Sequence, residues 1–171
     1  MKTVLVVYAS RMGSTQEIAV AVGEHLTSRG FEVTVAAAAD AAEARLFDAV
    51  VLGSAIYMGH WDKDAVDYLK SQGPDLGVRP TWLFQSGPAG PPDQAHPTPT
   101  PPAVRRLCHK IGLQAPTTFG GNLDHSRATT RLERWVSDGK LAGDFRDWDQ
   151  IRGWADRVAD DLVARSAPAG I

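Results

Sequence analysis

Ser10-Arg11-Met12-Gly13-Ser14-Thr15 is the segment of this chain whose residue types and spacing best suit a chemical task. Three hydroxyls and one glycine fall within it. It follows the apolar run Thr3–Tyr8 directly and precedes Gln16-Glu17-Ile18-Ala19-Val20-Ala21-Val22, which reads as the start of a helix. A strand, a small-residue loop and a helix N-terminus together make a seat for one phosphate. The first N–H groups of a helix have no intrahelical partner, and the helix dipole favours an anion beside them. Ser10, Ser14 and Thr15 are able to donate, and Gly13 lets the backbone approach the ligand closely. No lysine follows the glycine, as a nucleoside-triphosphate loop would require, and the G-x-G-x-x-G of a dinucleotide fold is absent. Ser14 and Glu17 also have the Ser-x-x-Glu spacing of a capping box. Local spacing leaves a phosphate seat and an ordinary capped helix start both open.

The elements that must position this loop alternate between apolar runs and helical patterns. Strands are expected at Thr3–Tyr8, Phe31–Val35, Asp48–Gly53, Pro80–Ser86 and Pro116–Gly121. Helices are expected at Thr15–Arg29, at Asp62–Ser71 (ended near Gly73-Pro74), at Ala103–Ile111, and from a second capping box, Asp147-Trp148-Asp149-Gln150. That last helix carries Ile151, Trp154, Ala155, Val158 and Leu162 at helical spacing. Five apolar strands separated by helices imply an α/β fold with a parallel sheet covered on both faces. Ligands bind such sheets at the carboxyl ends of the strands. Two segments depart from simple alternation within what is expected to be one domain over residues 1–171. A proline-rich loop, 87–102, holds seven of the eleven prolines, and a polar insertion spans 123–146. Leu132, Trp135 and Val136 are spaced for one amphipathic turn inside the insertion.

Composition excludes several classes. Lys and Arg total 18, Asp and Glu 20, so the net charge is −2 and there is no basic surplus to suggest nucleic acid. The single cysteine, Cys108, excludes an internal disulfide framework and fits a reducing compartment; mid-helix, it reads as a small buried hydrophobe. No apolar stretch is long enough to span a bilayer, so a soluble cytoplasmic protein is expected. The histidines His25, His60, His96, His109 and His125 show no metal-ligand spacing, so no metal site is expected. His60 is the one adjacent to the proposed site. Asp124-His125 lacks the serine elbow that would make it a catalytic pair. No catalytic acid, base or nucleophile is expected.

Ser10-x-x-Gly13-x-Thr15 after strand one resembles the phosphate loop of flavodoxins. Gly53-Ser54-Ala55-Ile56-Tyr57-Met58-Gly59-His60 after strand three resembles their second flavin-contacting loop. With Asp147-Trp148 opening the last helix, the chain is similar over nearly its whole length to the flavodoxin-domain family that includes the menaquinone-dependent protoporphyrinogen dehydrogenases. The resemblance implies a flavodoxin-like three-layer sandwich, a five-stranded parallel sheet in the order 2-1-3-4-5, and one bound FMN. Ser10, Arg11, Met12, Gly13, Ser14 and Thr15 would hold the phosphate. Ser54, Ala55, Ile56, Tyr57, Met58 and Gly59 would line the ring, and Ser86, Gly87 and Ala89 would meet its other side. The Gly120-Gly121-Asn122 turn would approach the cofactor too. Gly53 and Gly59 are the candidates for a peptide that hydrogen-bonds the ring, and Tyr57 and Trp61 the candidates for stacking on it.

The function implied is electron transfer to a small organic or protein acceptor, as a flavin-dependent oxidoreductase or as an electron carrier. Alternatives are a deazaflavin (F420) flavodoxin, a protoporphyrinogen dehydrogenase with a quinone acceptor, and a non-redox binding module on the same fold. The segment between strand five and the last helix is shorter here than in those dehydrogenases, and balanced in charge. The chain also lacks the strong acidity of carrier flavodoxins. Neither an integral membrane segment nor a nucleic-acid partner is expected.

Overall fold

The computed structural model describes residues 1–87, 98–123 and 143–165. Its elements, in chain order, begin with β1 (Thr3–Ala9), α1 (Ser14–Ser28), β2 (Glu32–Ala37) and β3 (Ala49–Tyr57). There follow the two-residue β4 (His60–Trp61), α2 (Lys63–Ser71), α3 (Gly73–Gly77), β5 (Thr81–Gly87), α4 (Pro102–Ile111) and β6 (Thr117–Gly120). β7 (Asn122–Leu123), β8 (Gly143–Asp144) and α5 (Trp148–Ala164) close the described chain.

The main sheet runs β2-β1-β3-β5-β6 with every neighbour parallel, and β4 folds back antiparallel on β3. Setting aside β4, this is the expected order 2-1-3-4-5. Period-two alternation sends successive side chains to opposite faces, and both faces are apolar. Val4, Val6, Val51 and Phe84 face α1 and α5, where Ile18, Val22, Trp154 and Val158 cover them. Leu5, Val7, Val50 and Leu52 face the other way, under Leu69 of α2, Leu76 of α3 and Cys108 of α4. Each fully buried Leu or Val contributes roughly 1.5–3 kcal/mol relative to exposure.

On the α1–α5 side Phe84, Phe119 and Trp154 form a tilted and edge-to-face trio, with ring centroids 5.6–5.8 Å apart. Gly53 makes room for it. A Cβ built there would sit 2.0 Å from Phe84 Cζ, so only glycine lets β3 and the Phe84 ring share that space. Gly53 is thus an extended strand residue paired with Tyr8 and Phe84.

Three local expectations are revised. β3 continues four residues past Gly53 to Tyr57, so much of the expected second loop is strand. Gly73-Pro74 does not simply end a helix: a new turn, α3, starts there, with Pro74 at an N-terminal position where its missing N–H is not needed. Trp61, a candidate for ring stacking, is buried at 5% exposure in the core under α2. The last helix starts as its capping residues predict. The Asp147 carboxylate accepts from the Asp149 and Gln150 N–H groups, both at 3.0 Å. Ala89, the Asp124-His125 pair and the Leu132–Val136 turn lie outside the described residues.

Candidate functional site

The carboxyl ends of β1, β3 and β5 converge on one cleft, and each wall is built differently. The first wall is the Ser10–Thr15 loop. Ser10 Oγ accepts the Gly13 N–H at 3.0 Å, which closes the loop on itself and leaves the hydroxyl proton of Ser10 available to donate. Gly13 is the cap residue of α1 at φ 84°, a conformation that a side chain would strain. Ser14 is therefore the first residue inside the helix, and the capping box expected from Ser14 and Glu17 does not form, because the box needs its hydroxyl at the cap position. The first intrahelical hydrogen bond is Glu17 N–H to the Gly13 carbonyl at 3.0 Å. The helix itself thus makes no use of the N–H groups that precede Glu17.

An acid in that first turn would compete with a phosphate for the helix dipole. Glu17 is neutralised by Arg146, whose guanidinium also grips Asp144 in a bidentate pair at 2.7–2.8 Å and lies 4.8 Å from the Trp148 ring centroid. Hydrogen bonds to Asp144 first, then to Glu17, outweigh burial and push Arg146 further up, so it is a permanent cation. The sequence reading missed it, because Arg146 is far from Glu17 in the chain and sits in a segment with no periodicity.

The second wall is the end of β3 and the hairpin after it. Ala55, Ile56 and Tyr57 line the cleft together with Ser10, Arg11, Met12, Ser14 and Thr15. Tyr57 pairs with His60 across a two-residue turn whose central residues, Met58 and Gly59, have φ of 49° and 76°. Two positive angles define the turn type whose twist matches a hairpin. Gly59 tolerates this freely; Met58, 61% exposed, is held there by the strands on either side. Ser54, Met58 and Gly59 do not line the cleft, and neither does Gly13. Ser54 is fully buried, where its hydroxyl accepts the Asp62 N–H and donates to the Ala55 carbonyl, both at 3.0 Å. His60 is exposed on the hairpin.

The remaining walls come from β5 and β6. Ser86 and Gly87 line the cleft, and Gly121 approaches Gly87 so closely that its N–H donates to the Gly87 carbonyl at 2.8 Å. Thr15 Oγ1 and Ser86 Oγ, both buried, share a 2.6 Å hydrogen bond that fixes the start of α1 against the end of β5. Beneath them lies Gln85, fully buried. Its Oε1 accepts the Trp61 indole N–H at 3.0 Å, and its Nε2 donates to Thr118 Oγ1 at 2.9 Å and to the Thr98 carbonyl at 3.1 Å. One amide thus braces the hairpin, β6 and the segment entering α4. Inside an apolar strand a lone glutamine gives no hint of this role; its burial alone, at an inward strand position, was the available signal.

Arg11 spans the mouth. Its guanidinium is 3.5 Å from the Asp62 carboxylate and 5.2 Å from the Tyr57 ring centroid. Asp62, which also lines the cleft, caps α2 by accepting the Asp64 N–H at 3.0 Å. The Tyr57 phenolic oxygen is buried and has no hydrogen-bond partner among the described residues. Such an orphan costs about 1–3 kcal/mol unless something else satisfies it. The site therefore offers an anion seat at one end, a largely apolar slot bounded by Tyr57 at the other, and an unsatisfied hydroxyl. Among the described residues it holds no acid–base pair. Burial pushes the Cys108 thiol up, which leaves it inert. Among the described residues no cluster of His, Cys, Asp or Glu could hold a metal ion, and no helix is long and apolar enough to cross a membrane.

A family comparison agrees with the 2-1-3-4-5 sheet: a flavodoxin-domain model aligns with residues 5–134. The chain belongs to the flavodoxin domain family. Solved flavodoxins share its α/β fold at low identity. A flavodoxin from the domain Archaea superposes with a TM-score of 0.62 at 15% identity, over 94% of this chain and 99% of that one. A short-chain flavodoxin associated with a non-canonical PDU bacterial microcompartment gives 0.65 at 19% identity, over 98% and 100%. Oxidised flavodoxin 1 from Bacillus cereus gives 0.59 at 12% identity, over 92% and 97%. No curated protein sequence matches the chain.

Proposed function

We propose that this flavodoxin-domain chain binds FMN in the cleft between the Ser10–Thr15 loop and Tyr57 and passes electrons to a protein or small organic acceptor. The observation that carries the reading is the junction, in one cleft, of the α1 N-terminus with an apolar slot. Bound there, FMN would supply one- and two-electron transfer chemistry. The protein's part is to seat it. The N–H groups at the start of α1, with the hydroxyls of Ser10, Ser14 and Thr15, hold the phosphate. Arg146 keeps the Glu17 carboxylate from opposing that anion. Ala55, Ile56 and Tyr57 exclude water from one side of the ring, and Gly87 and Gly121 leave room on the other. The Tyr57 hydroxyl finds its missing partner on the ligand. Arg11 and Asp62 hold each other at the mouth, so no full charge faces the slot.

The absorbance spectrum of the purified protein, with mass spectrometry of any released cofactor, tests the reading. A yellow protein that releases FMN is expected. A colourless protein that refuses FMN at micromolar concentration overturns it. Tighter binding of F420 than of FMN would move the chain to the deazaflavin reading, since both ligands present a phosphate and a tricyclic ring to the same cleft.

A further inference from the structure

Helix α4 carries a charge pattern that nothing among the described residues compensates. Its solvent face is made of Arg105, Arg106, His109 and Lys110, all exposed, and no acidic residue occurs between Pro102 and Ile111. Arg106 and Lys110 stand four residues apart, where like charges repel along a helix. Arg105 falls in the first turn, where the dipole favours an acid. Most other guanidinium groups among the described residues are neutralised, Arg157 being an exception. Arg29, Arg45, Arg79, Arg146, Arg152 and Arg165 each pair with a carboxylate. Among the described residues, Arg105, Arg106 and Lys110 form no ion pair. Neither does Lys70 of α2, which with Lys110 borders a groove containing Pro74, Leu107, Ile111 and the exposed Val78.

This concentration of cations is local, because the whole chain has a net charge of −2. The helix face has no aromatic side chain on which bases could stack and no broad apolar stripe to enter a lipid surface. An acidic protein surface with an apolar centre complements it in both charge and polarity. We propose that the outer face of α4, extended by Lys70, is the docking surface for an acidic electron-transfer protein. Its place in the fold suits that role. Thr98 abuts Gly87, since a Cβ on Gly87 would meet Thr98 Oγ1 at 3.0 Å, and Gly87 lines the cleft. α4 begins four residues after Thr98, within about 14 Å of extended chain. The N-terminal turn of α4, with Arg105 at its end, is thus the part of this face nearest the cleft. That the partner is a redox protein rests on the flavin reading above; the docking itself does not.

Isothermal titration calorimetry of the chain, with and without FMN, against an acidic [2Fe–2S] ferredoxin tests the proposal. Binding is expected at low salt, weaker at physiological salt, and weaker by at least about tenfold in the double variant R105E/R106E. R105Q/R106Q should lose less. Both variants should keep the wild-type circular dichroism and FMN affinity, and R105E/R106E should melt higher because the repulsion is relieved. Absence of ferredoxin binding, or binding unchanged in R105E/R106E, overturns the proposal. So does tighter capture of duplex DNA or phosphatidylglycerol vesicles through the same arginines. Ferredoxin docking that survives a failure to bind FMN would remove the flavin reading and leave the docking face standing.

Discussion

Replacing Gln85 by leucine should unfasten the candidate site from below. Gln85→Leu keeps the volume and the burial but deletes three hydrogen bonds, from Trp61 and to Thr98 and Thr118. The Thr98 carbonyl and the Thr118 hydroxyl keep a weak contact with each other at 3.4 Å. The Trp61 indole N–H, buried against the core, keeps nothing. A stranded buried donor costs about 1–3 kcal/mol, and the two remaining losses bring the expected total to about 2–4 kcal/mol. Urea unfolding followed by circular dichroism measures this, with an unchanged slope showing that only stability moved. In a chain of this size each kcal/mol shifts the melting midpoint by about 2–4 °C. The decisive control removes the stranded donor as well. The double variant Q85L/W61F should recover about 1 kcal/mol relative to the sum of the single changes, within the range of coupling between contacting residues. A Gln85→Leu cost below about 0.5 kcal/mol, or strict additivity with Trp61→Phe, would refute the bracing role.

Gly53→Ala would force the Phe84 ring against Phe119 and Trp154, at about 1–3 kcal/mol or more, and an unchanged urea midpoint would contradict the packing argument. Tyr57→Phe removes a buried orphan hydroxyl, so stability should hold or rise while FMN affinity falls in a fluorescence titration. Unaltered affinity would mean that the hydroxyl does not meet the ligand. The Thr3 N–H, at 2.8 Å, and then the Thr3 hydroxyl hold the Asp48 carboxyl below its usual range. Its stabilising contribution is therefore full above about pH 4, the unfolded value, and is lost as pH falls through the lower folded value. Asp48→Asn should flatten the acid limb of stability against pH; an identical limb would show that the pair contributes nothing.

The fold was legible because its signals are local. Val4 to Val7, Val50 to Leu52 and Leu83 to Phe84 are apolar on both faces, as only strands covered twice need be, and Asp147 announces its helix by the cap it makes. The order of the strands came from the resemblance rather than from any single residue. The Ser10–Thr15 loop reads as a candidate anion seat from its residue types, yet its helix start was misread, since Gly13 takes the cap with a positive φ that residue type alone does not disclose. The far side of the second loop was harder. Alternation through Ser54-Ala55-Ile56-Tyr57 is a strand pattern, but the small residues and the Met58-Gly59 turn disguised where β3 ends. Gln85, Arg146 and Asp62 were invisible as site residues because their partners, Trp61, Glu17 and Arg11, are distant in sequence and meet them only through the tertiary fold.

The central claim is that the α1 N-terminus and the Tyr57 slot are two halves of one site, and a comparison of FMN and riboflavin dissociation constants tests it most directly. The two ligands share the ring and differ in the phosphate. A charge-assisted seat of several hydrogen bonds worth about 1.5–3 kcal/mol each should make FMN bind more than about a hundredfold tighter. Equal affinities, or no binding of either ligand, would contradict the account.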